Sequence, residues 1–412
     1  MGMTEPDVVI VGGGIAGSAL AAVLARAGTS VEVLERTHVF PDRVRGEMWT
    51  PWGVSNLQSV DLLQVLLDAG AFFTTRWAYY DAAFPPSVAE ELAVDASALV
   101  PGVAGILNVG HPAASQALFD EATRCGAVMR RGITDVAIDS TGDRPVVTWT
   151  ADDGTSGTAF ATLLVGADGR ASAVRRHYGV ELETAPVRQY MTGLLVDGGT
   201  PLAQHIDSYG TGRDVNWYSF PQGPSSSRVY LAHFDVHRYA GADGTARFLA
   251  DLGQAASPDV AMLAGGRAVS PIATHPSVDT WTMTPYAPSM VLVGDSAGYN
   301  DPIIGQGLSL AMADVRDVSR LVLEHGAAAA AFDGYGAARF DRHAKQRLAA
   351  QTMAELMCSF SDDDAARRLR ALPLLGTDAT AMAIAASLMV GPEVLPPGID
   401  AIEAARGVLL AA

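Results

Sequence analysis

The stretch DVVIVGGGIAGSALAAVLARAGTSVEVLER, residues 7–36, reads as strand, glycine turn, helix and second strand. Val8 to Val11 form the short apolar run of a fully buried parallel strand. Gly12, Gly14 and Gly17 then supply G-x-G-x-x-G at the strand-to-helix turn. The first glycine permits the turn, the second lets backbone approach a pyrophosphate, and the third lets helix pack on strand. Ile15 and Ala16 open the helix, whose free N–H groups and dipole favour an anion. Glu35 closes the second strand eighteen residues past Gly17, where an acid for a ribose hydroxyl belongs. Arg36 follows it and could flank an adenine. The pattern predicts a dinucleotide with an unphosphorylated ribose, FAD or NAD. The plainer alternative is a glycine turn in an ordinary α/β unit, with Glu35 merely solvated.

Working outward, 412 residues can bury a large core and allow two or three lobes. A net charge of −17 argues against nucleic acid and against anionic membranes. Cys125 and Cys358 form no disulfide framework and no metal set, which fits a reducing cytoplasm. The uncharged run from Val8 to Ala25 mimics a membrane span. Four glycines interrupt it, and Glu5 and Asp7 precede it where a signal peptide carries Lys or Arg. No internal repeat and no metal-ligand cluster is visible.

Two later segments matter. TLLVGADGRASAVRRHYG, residues 162–179, is a strand ending at Asp168-Gly169, followed by a basic helix. VGDSAGYNDPIIGQGLSLAM, residues 293–312, is a strand ending at Gly294-Asp295, a loop, and a helix beginning near Gly305. Leu308, Ala311, Met312, Val315, Val318 and Val322 follow helical spacing, and Gly326 suits a C-terminal stop. With GxGxxG, these segments resemble the class A FAD-dependent monooxygenases, the p-hydroxybenzoate hydroxylase-like family. That family carries GxGxxG, a DG motif and a GD motif in this order.

The resemblance implies a fold and a site. The fold class is α/β: a Rossmann-like FAD-binding domain, an interleaved β-sheet substrate domain, and C-terminal helices. The implied FAD-binding domain covers 1–75, 95–180 and 268–326, the substrate domain 76–94 and 181–267, and the helical segment 327–412. Asp295 would bind the ribityl chain. Pro302 would shape the loop near the oxygen-reacting carbon, and backbone around Gly305, Gln306, Gly307 and Leu308 would face the flavin. Asp168 would lie near the dinucleotide and guide the nicotinamide cofactor. Arg45 would contact cofactor phosphates or nicotinamide, the alternative being a surface ion-pair arginine. Val136 is assigned to the cofactor half on the same ground.

The chain also departs from the family. Ser296-Ala297-Gly298-Tyr299 replaces a GDAAH-like text. His111 stands where an arginine usually reaches the cofactor phosphates, and an ordinary helix-start residue is the other reading. The altered GD text also resembles that of flavin-dependent halogenases. Those need a lysine near the flavin and a W-x-W-x-I-P segment; Lys345 lies far along the chain and WTPW (49–52) is not that motif.

Residues 181–267 read as strands with turns. In NWYSF, Trp217 and Ser219 share one face while Asn216, Tyr218 and Phe220 share the other. Tyr218 and His233 are candidate catalytic groups beside Arg45 and Pro302. Trp49, Trp52, His205, Tyr209, Trp217, Tyr218, Phe220 and Tyr299 are candidates for holding substrate, core packing being the alternative for most. The implied activity uses NADPH or NADH and O₂. One oxygen atom passes through a flavin C4a-hydroperoxide to an aromatic or polyketide-like small molecule. Competing readings are an FAD-dependent reductase or dehydrogenase of geranylgeranyl reductase type, and a non-catalytic FAD protein. The C-terminal helices would close the pocket or form a homodimer face.

Overall fold

The structure, a computed structural model, describes residues 2–198 and 206–412. Its centre is a six-stranded sheet. Val8–Val11 lies between Val31–Leu34 and Leu163–Gly166, all parallel, and Met290–Leu292 runs parallel beyond Leu163–Gly166. Val128–Arg130 and the short Tyr286–Ala287 complete the edges. Each residue of Val8–Val11 is buried, as a strand covered on both faces requires. Helix Ile15–Arg26 packs on one side with Gly307–His325 and His111–Arg124. Ala19, Leu20, Val315 and Val318 join one apolar core there. A four-stranded sheet, built from Gly2–Thr4, Ile133–Asp139, Val146–Ala151 and Ser156–Phe160, flanks the other side.

The second lobe is an eight-stranded sheet. Gln189–Asp197, Ser226–His233, Asn216–Pro221, Ile206–Thr211 and Arg76–Asp81 lie side by side. Ala273–Ser277 also pairs with Gln189–Asp197, so the sheet runs past residue 267 into chain expected in the other domain. Strand alternation sorts its residues onto two faces. Tyr218, Phe220 and Tyr230 join a core with Ile303, Ile304, Met353 and Met357. Trp217 and Leu231 join another with Tyr239, Phe248 and Leu252. The first of these, the inner face, therefore looks toward the 302–304 turn.

After residue 327 the chain is helical: Asp333–Met357, Asp362–Ala371, Leu374–Thr377, Ala379–Val390 and Asp400–Ala411. A capping box at Ser361 and Asp364 opens the second, satisfying two otherwise orphaned N–H groups. No single helix among the described residues is long and apolar enough to cross a membrane.

Candidate flavin site

The glycine turn shows why each position is glycine. Gly12 has φ +103°, and a side chain there would overlap the Ala167 carbonyl. A side chain at Gly17 would overlap the Gly12 carbonyl oxygen. At Gly14 a Cβ would meet nothing within 4 Å, so the start of the helix opens onto empty space. The geometry matches turn, ligand approach and helix packing in that order. Glu35 is buried and fastens the turn. One carboxylate oxygen accepts from the Gly13 N–H at 2.7 Å, the other from the Thr37 N–H and hydroxyl, each at 2.7 Å. It is not merely solvated. Arg36, beside it, is exposed.

The second motif lies against the first. At Gly12 an added Cβ would stand 2.7 Å from the Asp168 nitrogen. The Asp168 carboxylate caps helix Ala173–His177, accepting from Ala173 N–H at 2.6 Å, and its other oxygen is buried without a partner. Capping thus occupies half of a carboxylate that the motif assigned to the cofactor.

The third motif closes the ring. Gly294 has φ +61°, and a Cβ there would lie 3.3 Å from Ala16 Cβ and 3.9 Å from Ala311 Cβ. The first helix, the GD turn and helix Gly307–His325 therefore meet at one point. Asp295 is about one-third exposed and faces Arg170 at 3.3 Å and Arg45 at 3.9 Å. Burial, with Arg170 and Arg43 nearby, holds the Arg45 pKa below its ordinary value, against the pull of Asp295. Arg170 also lies over the Tyr299 ring, 4.2 Å from its centre. Pro302 opens a 3₁₀ turn capped by Asp301, whose carboxylate accepts from Ile303 N–H at 3.0 Å. Gly305 takes a left-handed φ of +64°, with Met48 Cε 2.9 Å from where a Cβ would stand. Gly307 faces open space at the head of a 19-residue helix. The Gln306 side chain turns away and donates to the Leu388 carbonyl.

His111 joins the site through Gly46, whose added Cβ would lie 3.2 Å from His111 Cδ2 and 3.5 Å from Leu308 Cδ2. Burial, then Arg45 and Arg43, press its pKa down to about 4, so the imidazole is neutral at pH 7. Val136 sits in strand Ile133–Asp139 opposite Trp149, packed on the flanking four-stranded sheet.

The substrate candidates divide. Tyr209, Tyr218 and Phe220 lie on the inner face. Trp217 lies on the outer face beneath helix Gly244–Leu252. His233 alternates with Ala232 and shares that outer side, bonding Thr192 at 2.8 Å and meeting Tyr239 edge-on at 5.0 Å. Neither points toward the 302–304 turn, a correction imposed by strand alternation. Trp49 is fully buried in the central core. Trp52 packs on Leu310 and Ala313, and a Cβ at Gly391 would stand 2.5 Å from its ring. Both are core rather than lining. His205 falls outside the described residues.

Several contacts around these turns escaped the sequence. Arg339, buried in helix Asp333–Met357, donates to the carbonyls of Gly294, Ala297 and Gly298 at 3.1, 2.8 and 2.9 Å. It also pairs with Asp314 at 3.0 Å, and Asp314 accepts from the Gly294 N–H at 2.9 Å. Gln346 donates to the Ser387 carbonyl beside the Gln306 contact. His275 pairs opposite Met191 on the inner face, with Nε2 buried and unpartnered. Burial, then Arg170 and Arg45, push its pKa down. Glu47 accepts from the Tyr230 hydroxyl at 2.5 Å and faces Arg228 at 3.1 Å. Burial raises its pKa to about 7 against the pull of Arg228. Arg339 lies outside every motif, so the sequence carried no local signal for it.

Comparison with known proteins agrees with this geometry. The model of the FAD binding domain family matches residues 5–350. Squalene epoxidase erg1 of Aspergillus fumigatus is 27% identical over 334 residues, covering 77% of this chain and 66% of that protein. The chain spans between 10% and 66% of the length of such curated relatives. Among solved structures, p-nitrophenol 4-monooxygenase PnpA from Pseudomonas putida superposes with TM-score 0.76 at 18% identity, covering 95% of this chain and 99% of that one. A flavoprotein/dehydrogenase from Cytophaga hutchinsonii gives 0.75 at 16% identity, covering 99% of both. A glycine turn, a DG turn and a GD turn meeting around one opening, in a chain matched from residue 5 to 350, make this protein a member of the FAD binding domain family.

Proposed function

We propose that the protein is an FAD-dependent monooxygenase that oxidises a small molecule with NADPH or NADH and O₂. The observation that carries this reading is the meeting of Ala16 with Gly294, which joins the two half-sites. The residues present fit FAD. Gly14 and Gly307 leave open space before two helix starts, and Asp295 keeps exposed carboxylate between them. When bound, FAD supplies the electron transfer and the activation of oxygen; the protein supplies binding, orientation and electrostatics.

Gly12, Gly14, Ile15, Ala16 and Gly17 would hold the pyrophosphate, Glu35 and Arg36 the adenosine end, and Asp295 the ribityl chain. The positive end of helix Gly307–His325 would stabilise negative charge on the reduced ring. Asp301 positions the Pro302 turn. Burial raises its pKa to about 6, and Arg188 at 3.3 Å anchors it. Tyr218, on the facing sheet, would orient substrate by its hydroxyl. Arg45 and neutral His111 would meet the nicotinamide cofactor. The small-molecule substrate and O₂ are the partners of this reading. The similar monooxygenase and epoxidase noted above support it.

The test is to mix purified protein with NADPH and NADH without oxygen and follow the flavin absorbance, then admit labelled O₂ and weigh the product. Bleaching followed by one labelled oxygen in the product is expected. Bleaching with a product that gains only hydrogen would favour a reductase or dehydrogenase, a reading supported by the similar flavoprotein/dehydrogenase fold.

A further inference from the structure

The inner face of the eight-stranded sheet carries an aromatic stripe that crosses four adjacent strands. Trp77 stacks on Tyr209 at 4.7 Å and 26°. Tyr209 stacks on Tyr218 at 6.0 Å and 11°, and Tyr218 on Phe220 at 6.3 Å and 26°. Phe220 then meets Tyr230 at 6.2 Å. Exposure is graded along it. Trp77, Tyr79 and Tyr209, toward the sheet edge, are half-buried, while Tyr218, Phe220 and Tyr230 are buried beside Ile303 and Ile304 of the Pro302 turn. The stripe thus runs from the margin of the lobe to the loop expected against the reacting ring. Met48, Met191, Met353 and Met357 fill in around it, and methionine adapts to irregular apolar shapes.

The charges around the stripe are as informative. Each cation packed on it among the described residues is already spent. Arg228 is paired with Asp42 at 2.6 Å and Glu47 at 3.1 Å. Arg368 is paired with Asp81 at 2.9 Å, and Arg188 with Asp279 at 3.0 Å and Asp301 at 3.3 Å. Arg45 reaches the Tyr230 end of the stripe but faces Asp295 at 3.9 Å, which Arg170 also faces at 3.3 Å, and Arg43 lies near Arg45. Acids stand closer. Asp207 is buried on the same face, where Thr74 and Asn108 donate to its carboxylate. A ligand carboxylate laid against the half-buried rings of Trp77, Tyr79 and Tyr209 would meet apolar rings and, among the described residues packed on them, no guanidinium without an acid partner. A buried charge without a partner is strongly disfavoured. A flat neutral ring system meets ring faces and methionine instead.

We infer that this stripe recognises the substrate and that the substrate is an uncharged, extended, flat or unsaturated apolar molecule, carboxylates being rejected. The inference rests on the monooxygenase reading only for the position of the flavin. The test titrates the FAD-loaded full chain at pH 7.5 with 2,6-dihydroxynaphthalene and with 6-hydroxy-2-naphthoate, reading the flavin absorbance change. The pair differs in one group, hydroxyl against carboxylate. The neutral probe should bind at least about tenfold tighter. Tyr209→Leu, which keeps bulk but removes the stacked ring, should weaken it about fivefold at full flavin occupancy. Tyr209→Ala should do so at least as strongly. Equal or tighter binding of the naphthoate overturns the inference. So does a flavin-loaded protein that binds neither probe, or one whose affinity ignores both Tyr209 variants. A chain that takes up no FAD at all would instead sink the functional reading, so the two failures are told apart.

Discussion

The two halves of the flavin site are built in opposite ways. The glycine turn is local: strand, turn, helix, strand and Glu35 fall within residues 8–35, and Glu35 fastens the turn through Gly13. The GD turn is remote. Its carbonyls are held by Arg339, some forty residues on, and its N–H by Asp314 at the next helix. The loop that follows is held through Gln306 by the Leu388 carbonyl. A local half can be written in one short motif. A remote half needs the C-terminal helices folded against it before its backbone is satisfied.

That difference predicts how each half fails. The largest effect belongs to Gly17→Val, which would drive a side chain into the Gly12 carbonyl. A loss above ~4 kcal/mol is expected, seen as failure to fold or collapse of the melting transition. If Gly17→Val folds normally, the tight helix–strand packing is not what holds the local half.

Arg339→Met comes next. It removes one of the two arginines paired with the buried Asp314, Arg342 remaining at 3.2 Å, and leaves the carbonyls of the GD turn without their donor, at a cost of roughly 3–4 kcal/mol. Flavin retention should fall with stability, although residue 339 lies outside every sequence motif. Full flavin content in a stable Arg339→Met protein would remove the contrast between local and remote halves.

A third prediction concerns pH and probes the long-range ties of the second lobe. Burial raises the Asp207 pKa to about 7, against hydrogen bonds from Thr74 and Asn108. An acid whose pKa rises on folding holds its proton in the fold. Its contribution is complete below about pH 4 and is lost as pH climbs toward 7. Asp207→Asn removes that loss, so the variant should gain roughly 1–3 kcal/mol on the parent between pH 5 and 8. Taking the difference from the parent cancels the buried histidines, which titrate in both. A gap that does not widen with pH would mean that Asp207 stays charged in the fold.

The smallest effect is Tyr299→Leu. It removes the ring under Arg170, worth about 0.5–1 kcal/mol, and should weaken FAD binding by no more than about fivefold. A larger loss, measured by flavin fluorescence titration, would give Tyr299 a direct part in holding the cofactor.

Legibility in the sequence follows the same divide. Gly12, Gly14, Gly17, Glu35 and the helix from Gly307 to the Gly326 stop could be read from spacing, because glycine geometry and helical period are local. The family text around Asp168 and Asp295 added the remaining turns. Which face of NWYSF looks inward could not be read: a strand announces its alternation but not its neighbours. His233 and Trp217 were misplaced for that reason, and Trp49 and Trp52 because a tryptophan beside a motif looks the same whether it packs or lines. Arg339 was silent, since a buried arginine on a helix has no period to betray it. The departure at Gly298 now has a physical basis. With φ +106° and the Thr280 carbonyl 2.5 Å from its missing Cβ, that position needs glycine, and its own carbonyl accepts from Arg339.

The central claim is that one FAD spans both halves, its pyrophosphate lying before Gly14. The most direct measurement is FAD titration of Gly14→Val against the parent, with circular dichroism to confirm the fold. A Cβ at Gly14 meets nothing in the protein. The account therefore predicts a folded, thermally stable variant that has lost FAD affinity at least about a hundredfold, while the parent binds one equivalent. A folded Gly14→Val chain that binds FAD as tightly as the parent would contradict it.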